Sequence, residues 1–505
     1  MMRGTWYERL SVLDYSFLAF EGANSYMHIA AAAVFEAAPV ATKDGGIDIA
    51  RIRQYIDSRL PSIPRYRQRL AYIPVENHPV WIDDDHFDLG YHVRHTSLPR
   101  PGSDPQLREL CARLLERPLN RAKPLWEIWV VEGLAGGRFA LLMKVHHCMV
   151  DGLGGVELLA ALLQPVPDAG SAGVVNGASD WRPRPAPSSR TLLRDEVARR
   201  AKMSIELARR LRRNGAAGEP GEVGWGGSLK AVWELVREGI RRPVTSPLNQ
   251  PIGPHRRFHW ATCDLAAFKE VKNQFGATVN DVVLSVVTGA VRAFFERRGF
   301  NAAGMDFKAA VPVNVRAEAE RHTTGNRVSA WLVSLPIHER RPTQRLLALQ
   351  EMSRHLKQTN QAIGGRMLTQ AAEWTSTNVL TLGALLSSRV QPFNLIVTNV
   401  PGPQFPLYLL GARMEAIYPQ VPLFENQGLG IALFSYDGKL FWGFNGDWDV
   451  LADIEAFVQD IEASFRGLCR AARRQRIAPT PKVTRQQPPD LQRLPRLRSA
   501  ANSKW

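Results

Sequence analysis

The chain of 505 residues holds only four cysteines, Cys111, Cys148, Cys263 and Cys469, and no two of them form a CxxC pair. A disulfide framework and a cysteine-rich zinc site are therefore not expected, and a reducing compartment fits. Long hydrophobic runs are missing too. "VVLSVVTGAV" and "NVLTLGALL" fall short of the roughly 18 apolar residues that span a bilayer. The N-terminal "MMRGTWYERLSVLDYSF" has neither the basic start nor the apolar core of a signal peptide. A cytoplasmic protein, soluble or bound to a surface, is the expectation.

Acidic residues are in deficit, 48 against 64 Lys and Arg, for a formal charge of +16. The excess is local. Arg190–Arg213 carries net +6 and Arg466–Trp505 carries net +10, so the rest of the chain is close to neutral. A basic field across a groove, as in a nucleic-acid enzyme, is not indicated. Basic appendages on a neutral body suit an anionic membrane or lipid-inclusion surface, although solvated charge on a linker and tail explains them equally well.

The composition that is present, 45% apolar and 22% charged, is that of a globular protein, and the length points to two domains. Residues 1–167 read as a mixed α/β unit. "MHIAAAAVFE" reads as a strand and "IARIRQYIDSRLPSIP" as a helix stopped by proline. "PLWEIWVVEGLAGGRFALLMKVHH" reads as a hairpin around a Gly-rich turn. Residues 168–245 read as a Pro/Gly-rich linker that contains a basic amphipathic helix. Leu193, Val197, Ala201, Ile205 and Ala208 share one face of it, able to lie on a membrane or against the body. Residues 246–467 alternate helices and strands again, and 468–505 form a basic, Pro-rich tail expected to be disordered.

One stretch concentrates the chemistry: "KVHHCMVDGLGG", Lys144 to Gly155. Phe139 to His147 alternates like a strand, which sends adjacent histidines to opposite faces. His146 and His147 are then a poor metal chelate, and no HExxH or Cys partner accompanies them, so no metal is expected. His147 ends an apolar face. It reads either as a core histidine bonded to a backbone carbonyl or as a general base kept neutral by burial. Asp151 and Gly152 suit a structural clamp after the strand, with Arg316 a candidate partner for the carboxylate; Asp151 orienting His147 is the other reading. No GxSxG elbow occurs, and Cys148 points away from His147. A histidine base without a nucleophile implies direct attack by a substrate hydroxyl.

"HHCMVDG" is an HHxxxDG motif and resembles the signature of the chloramphenicol-acetyltransferase-like acyltransferases. Further blocks narrow the likeness: "LSVLDYSFLAFE", "MHIAAAAVFE", "PLWEIWVVEGL", "SPLNQPIGPHRRF", "ATVNDVVLSVVTGAVRAFF", "VPVNVR", "NVPGP" and "NQGLGIALFSYDGKLFWGFNGDWD". In that order they resemble the bacterial wax ester synthase/diacylglycerol acyltransferase family, from about Leu10 to Phe465. Cys148, Met149 and Gly154 depart from its usual residues, at positions that do not carry the proton transfer.

The resemblance implies two chloramphenicol-acetyltransferase-like α/β domains with the active site in a tunnel at their junction. It implies transfer of a long-chain fatty acyl group from acyl-CoA, a substrate rather than a cofactor, to diacylglycerol or a long-chain alcohol. His147 would be the base, assisted by His146. Asn280 and Asp281 would support an oxyanion, although Thr278 and Asp281 also fit a capping box that opens a helix. Pro124–Trp126 shapes the cleft or packs the hairpin, and Asn399 and Gly402 read first as turn residues. Condensation-type transfer to another alcohol or amine is the alternative, weakened because no carrier-domain attachment motif is evident. A non-catalytic lipid-binding protein would predict a degraded HHxxxDG motif, and this one is intact.

Overall fold

The computed structural model describes residues 6–149, 154–167, 181–216, 245–314, 328–358 and 393–477. The chain begins with β1 (Glu8–Arg9), α1 (Val12–Ala19), β2 (His28–Glu36), α2 (Ile49–Arg59), β3 (Gln68–Tyr72) and β4 (Pro79–Asp83). It continues with α3 (Leu89–His92), β5 (Val93–Ser97), α4 (Asp104–Leu115), β6 (Trp126–Leu134), β7 (Arg138–His146), α5 (Gly154–Leu162) and α6 (Ser189–Ala216). Then come β8 (Arg256–Asp264), α7 (Leu265–Phe275), α8 (Val279–Arg297), β9 (Phe307–Asn314), β10 (Val328–Leu335) and α9 (Pro342–Gln358). The last are β11 (Leu395–Pro401), β12 (Tyr408–Leu409), β13 (Ala412–Gln420), β14 (Leu429–Tyr436), β15 (Lys439–Asp447) and α10 (Ile454–Ile477).

The mixed α/β class expected from the sequence is the class found. Two six-stranded sheets, ordered β12-β13-β2-β7-β6-β5 and β10-β9-β11-β14-β15-β8, accompany a three-stranded sheet, β1-β4-β3. The β6–β7 hairpin turns on Gly136 and Gly137, both at positive φ, 79° and 66°, where a side chain would be strained. α8 is apolar on almost every side because Val282, Val283, Val286, Val287, Ala290 and Val291 are all buried in the second core. That burial accounts for "VVLSVVTGAV". Among the described residues no single helix is long and apolar enough to cross a membrane, and α7 with α8 would pass only as a pair bent by 100°.

The two large sheets share the chain in a way local patterning does not announce. β13, from the second half, pairs antiparallel with β2 of the first, from Met414 opposite Phe35 to Gln420 opposite Ala30. β15 crosses β13 so closely that a Cβ on Gly443 would sit 1.7 Å from the Pro419 carbonyl oxygen. Nearby, α4 packs on β8, where Phe258 and Trp260 join Leu107, Cys111 and Leu114 in one buried cluster. Trp260 stacks on Tyr418 at 4.4 Å. α10 continues to Ile477, ten residues beyond the boundary expected at 467.

The expected amphipathic helix is α6, and it docks on the small sheet by a different side from its apolar stripe. Leu192 is buried with Ile73, Val80 and Ile82. Glu196, buried beside it, bonds to Arg9 at 2.5 Å, Arg199 at 2.7 Å and Arg200 at 2.8 Å. Burial alone would raise the Glu196 pKa, but the hydrogen bonds from Arg199 and Arg200 and the three guanidinium charges hold it down to about 2. Leu193, Val197, Ala201 and Ile205 are left facing outward.

Candidate active site

β7 alternates as its sequence requires. Phe139, Leu141, Met143 and Val145 enter one core, while Ala140 and Leu142 enter another on the opposite face. Lys144 shares the second face and donates its buried Nζ to the carbonyls of Leu114 and Arg117, both at 2.9 Å, tying the strand to the end of α4. Burial lowers its pKa to about 8.

The strand stops one residue earlier than its alternation suggests. β2 begins at His28, which pairs with His146, and the next position in that register is Met27 opposite His147. The His147 N–H continues that register with one bond to the Met27 carbonyl at 2.8 Å, and His147–Met149 then closes as a 3₁₀ turn. The His147 ring still lies toward the core entered by the odd face, because its stacking partner Phe17 packs on that core. The two histidines still part company, each to its own partner.

His146 is buried, and its Nδ1 accepts from the Cys148 N–H at 3.1 Å. The ring proton therefore sits on Nε2 and is given to Glu21 Oε1, 3.1 Å away. Glu21 Oε1 also accepts from the Met27 N–H at 2.9 Å, and Oε2 binds Arg121 at 2.5 Å. One carboxylate thus orients His146 directly and steadies, through Met27, the backbone that holds His147. Burial by itself would raise the Glu21 pKa, yet hydrogen bonds from His146 and Arg121 and nearby positive charge hold it at about 2.

His28 Nε2 also approaches Glu21 Oε1, at 3.8 Å, so Glu21, His28 and His146 could converge on one cation. The donor chemistry disfavours that use. His146 Nε2 is the protonated nitrogen, and Arg121 already neutralises Glu21. Cys148 is buried, with its thiol pKa raised well above the ordinary value by burial and then by the charges of Asp14 and Glu21. It supplies a backbone N–H to His146 and no thiolate.

His147 sits in different surroundings. Its ring lies on that of Phe17 at 3.8 Å between centroids, 18° from parallel. The residue is half-buried, and its Nδ1 is closed off with no hydrogen-bond partner. Burial lowers its pKa to about 4 against an opposing backbone hydrogen bond, with a smaller push down from neighbouring His146, so the ring is neutral at pH 7. A backbone carbonyl does meet His147, that of Met27 at 2.8 Å. The N–H that meets a carbonyl is the backbone one.

Pro124–Trp126 packs the hairpin. The Leu125 carbonyl accepts the His146 N–H at 2.9 Å, while buried Trp126 donates Nε1 to the Tyr66 carbonyl at 2.7 Å. Gly402 follows β11 against Phe434, where a Cβ would come within 2.4 Å of the ring. Asp281 closes a capping box: its Oδ2 accepts from the Thr278 N–H at 2.9 Å and hydroxyl at 2.8 Å, and the Asp281 N–H donates back at 3.2 Å. None of those bonds reaches His146 or His147, and Asp281 Oδ1 is buried without a partner. Asn280 beside it is half-buried. Asp151, Gly152 and Arg316 lie outside the described residues.

Sequence models of the wax ester synthase/diacylglycerol acyltransferase catalytic domain and of the family's C-terminal domain match residues 10–283 and 324–468. The chain belongs to this family. Membership makes the protein an acyltransferase. Among its relatives, "Probable diacyglycerol O-acyltransferase tgs1" of Mycobacterium tuberculosis is 32% identical over 492 residues, covering 93% of this chain and 97% of the relative. Among solved structures, the wax ester synthase/diacylglycerol acyltransferase of Marinobacter aquaeolei VT8 superposes with a TM-score of 0.65 at 25% identity, covering 92% of this chain and 99% of that one. The trichothecene 15-O-acetyltransferase TRI3 of Fusarium sporotrichioides shares the fold, with a TM-score of 0.57 at 11% identity and coverage of 92% and 95%.

Within this acyltransferase frame the sequence missed four contributors: Glu21, Arg121, His28 and Phe17. Glu21 closes the block "LSVLDYSFLAFE", an acid ending an apolar run, and that is the signal available for it.

Proposed function

We propose that the protein transfers a long-chain fatty acyl group from acyl-CoA to the hydroxyl of diacylglycerol, of a long-chain alcohol, or of both. In this reading His147 removes the hydroxyl proton as the oxygen attacks the thioester carbonyl carbon. The tetrahedral oxyanion collapses, the C–S bond breaks, and the CoA thiolate recovers the proton from His147. Ester and free CoA thiol result, with no acyl-enzyme. His146 assists by holding the motif backbone rather than by exchanging protons, because both of its nitrogens are occupied. Asp151, Gly152, Asn280 and Asp281 take in this reading the supporting roles that the resemblance implies, clamp and oxyanion support.

The observation that carries this reading is the neutral, half-buried His147 ring, stacked on Phe17. Family membership supplies the reaction class. Purified protein given palmitoyl-CoA and a panel of hexadecanol, dipalmitoylglycerol and a primary amine tests the acceptor. Ester formation with either hydroxyl compound supports the reading. Amide formation alone would replace it with condensation-type chemistry.

A further inference from the structure

We propose that the outward face of α6 is a docking surface for an anionic lipid bilayer. The helix is held to the body by one side only, through buried Leu192 and the Glu196 ion-pair cluster. At about 100° per residue, Leu193, Val197, Ala201 and Ile205 fall on nearly the opposite side. All four are exposed, Val197 at 60% and Ile205 at 53%, an arrangement that core packing does not explain.

The charge around this stripe has one dominant sign. Arg190, Arg194, Lys202 and Arg209 are exposed along it. The acids of the same stretch include Glu196, which is spent on the body, and Asp195, which meets Tyr7 and Arg194. What faces outward is an apolar strip bordered by arginine and lysine. That is the pattern of a helix lying in an interface, with its apolar side among acyl chains and its cations at anionic headgroups. Among the described residues the exposed charges along the stripe are cationic, which suits anionic headgroups better than the mixed-charge rim of a protein partner.

Two neighbouring features extend the surface. Val75, at the tip of the β3–β4 turn, is 89% exposed, and the adjacent Glu76 is bound to Arg200 of α6. The small sheet that carries α6 also carries the elements leading to the site. His78 bonds to the Leu10 carbonyl at 3.2 Å and meets Tyr15 of α1 at 5.7 Å between rings, and α1 supplies Phe17, which covers His147. A bilayer under α6 therefore lies against the same unit that bears the candidate base.

Binding is read without catalysis, so its outcome is independent of the acyl-transfer reading. The full chain is sedimented with vesicles of phosphatidylcholine alone and of phosphatidylcholine with phosphatidylglycerol, at low and high salt. The expected result is binding to the anionic vesicles that weakens with salt. The double variant Val197→Asp/Ile205→Asp should bind at least tenfold more weakly, as should Arg190→Gln/Arg194→Gln/Lys202→Gln/Arg209→Gln. Both variants should keep the parental thermal midpoint and the turnover of detergent-dispersed substrate. Absent binding by the parent, or equal binding by the Val197/Ile205 variant, overturns the proposal. So does a mass measurement in which that variant converts a dimer to a monomer while vesicle binding is unchanged, because the stripe then meets a second copy of the chain.

Discussion

Phe17 lies face to face with His147, their ring centroids 3.8 Å apart and their planes within 18°. Phe17 covers the ring and keeps water from it, and that burial lowers the His147 pKa to about 4. The sign then fixes a pH profile. A neutral base is available above about 4, so the acid limb of kcat/KM should lie near that value and not at the ordinary 6.5. Phe17→Ala should admit water and move the limb upward toward 6.5. An acid limb at 6.5 in the parent protein would contradict this account of the base.

The same depression links to stability. Between 6.5 and about 4 the unfolded chain binds protons that the native His147 refuses, so stability falls as pH falls through that window. Burial also holds His78 and His92 at about 4, and they act in the same direction. Urea midpoints measured from pH 7 to pH 4 should decline steadily, and a flat profile would count against all three.

Glu21 should behave as a positioning residue. Glu21→Ala leaves the His146 Nε2 proton and the Met27 N–H without their acceptor, at a cost of roughly 1–3 kcal/mol for each buried group. Because Met27 in turn fixes the His147 backbone, kcat should fall by about 100-fold with little change in KM. A stability loss with full kcat retained would show that the carboxylate only supports the fold.

Much of the fold was legible locally, and the exceptions have physical causes. The β6–β7 hairpin, β2 and α8 follow from alternation, glycine turns and capping. The insertion of β13 beside β2 does not, because that pairing joins segments hundreds of residues apart whose local pattern is only that of a strand. At the site, the sequence singled out His146 and His147. It ran β7 one residue long, to His147, because the 3₁₀ turn that begins there leaves no mark in the alternation. Glu21 and Phe17 escaped because their roles depend on a contact about 125 residues away in the chain.

Thr278 and Asp281 share one capping box, so their removal should not add. Thr278→Ala and Asp281→Ala should each cost about 1 kcal/mol in chemical unfolding, and the double variant should be little worse than either single one. Strictly additive losses would mean that the buried Asp281 Oδ1 has separate work to do.

Gly443→Ala tests the crossing of the two large sheets. Its methyl would meet the Pro419 carbonyl oxygen at 1.7 Å, and a backbone atom cannot swing aside as a flexible side chain would. A loss of about 1–3 kcal/mol or more is expected in equilibrium unfolding. An unchanged midpoint would mean the sheets are not in contact there.

The most direct measurement is release of CoA thiol from palmitoyl-CoA by the full chain, with and without a long-chain hydroxyl acceptor, in the parent and in His147→Ala. The account predicts release that depends on the acceptor and falls by about 10²–10⁴-fold in the variant, with the fold intact by thermal melting. Full turnover by His147→Ala would contradict it, as would parental release that is equally fast without an acceptor.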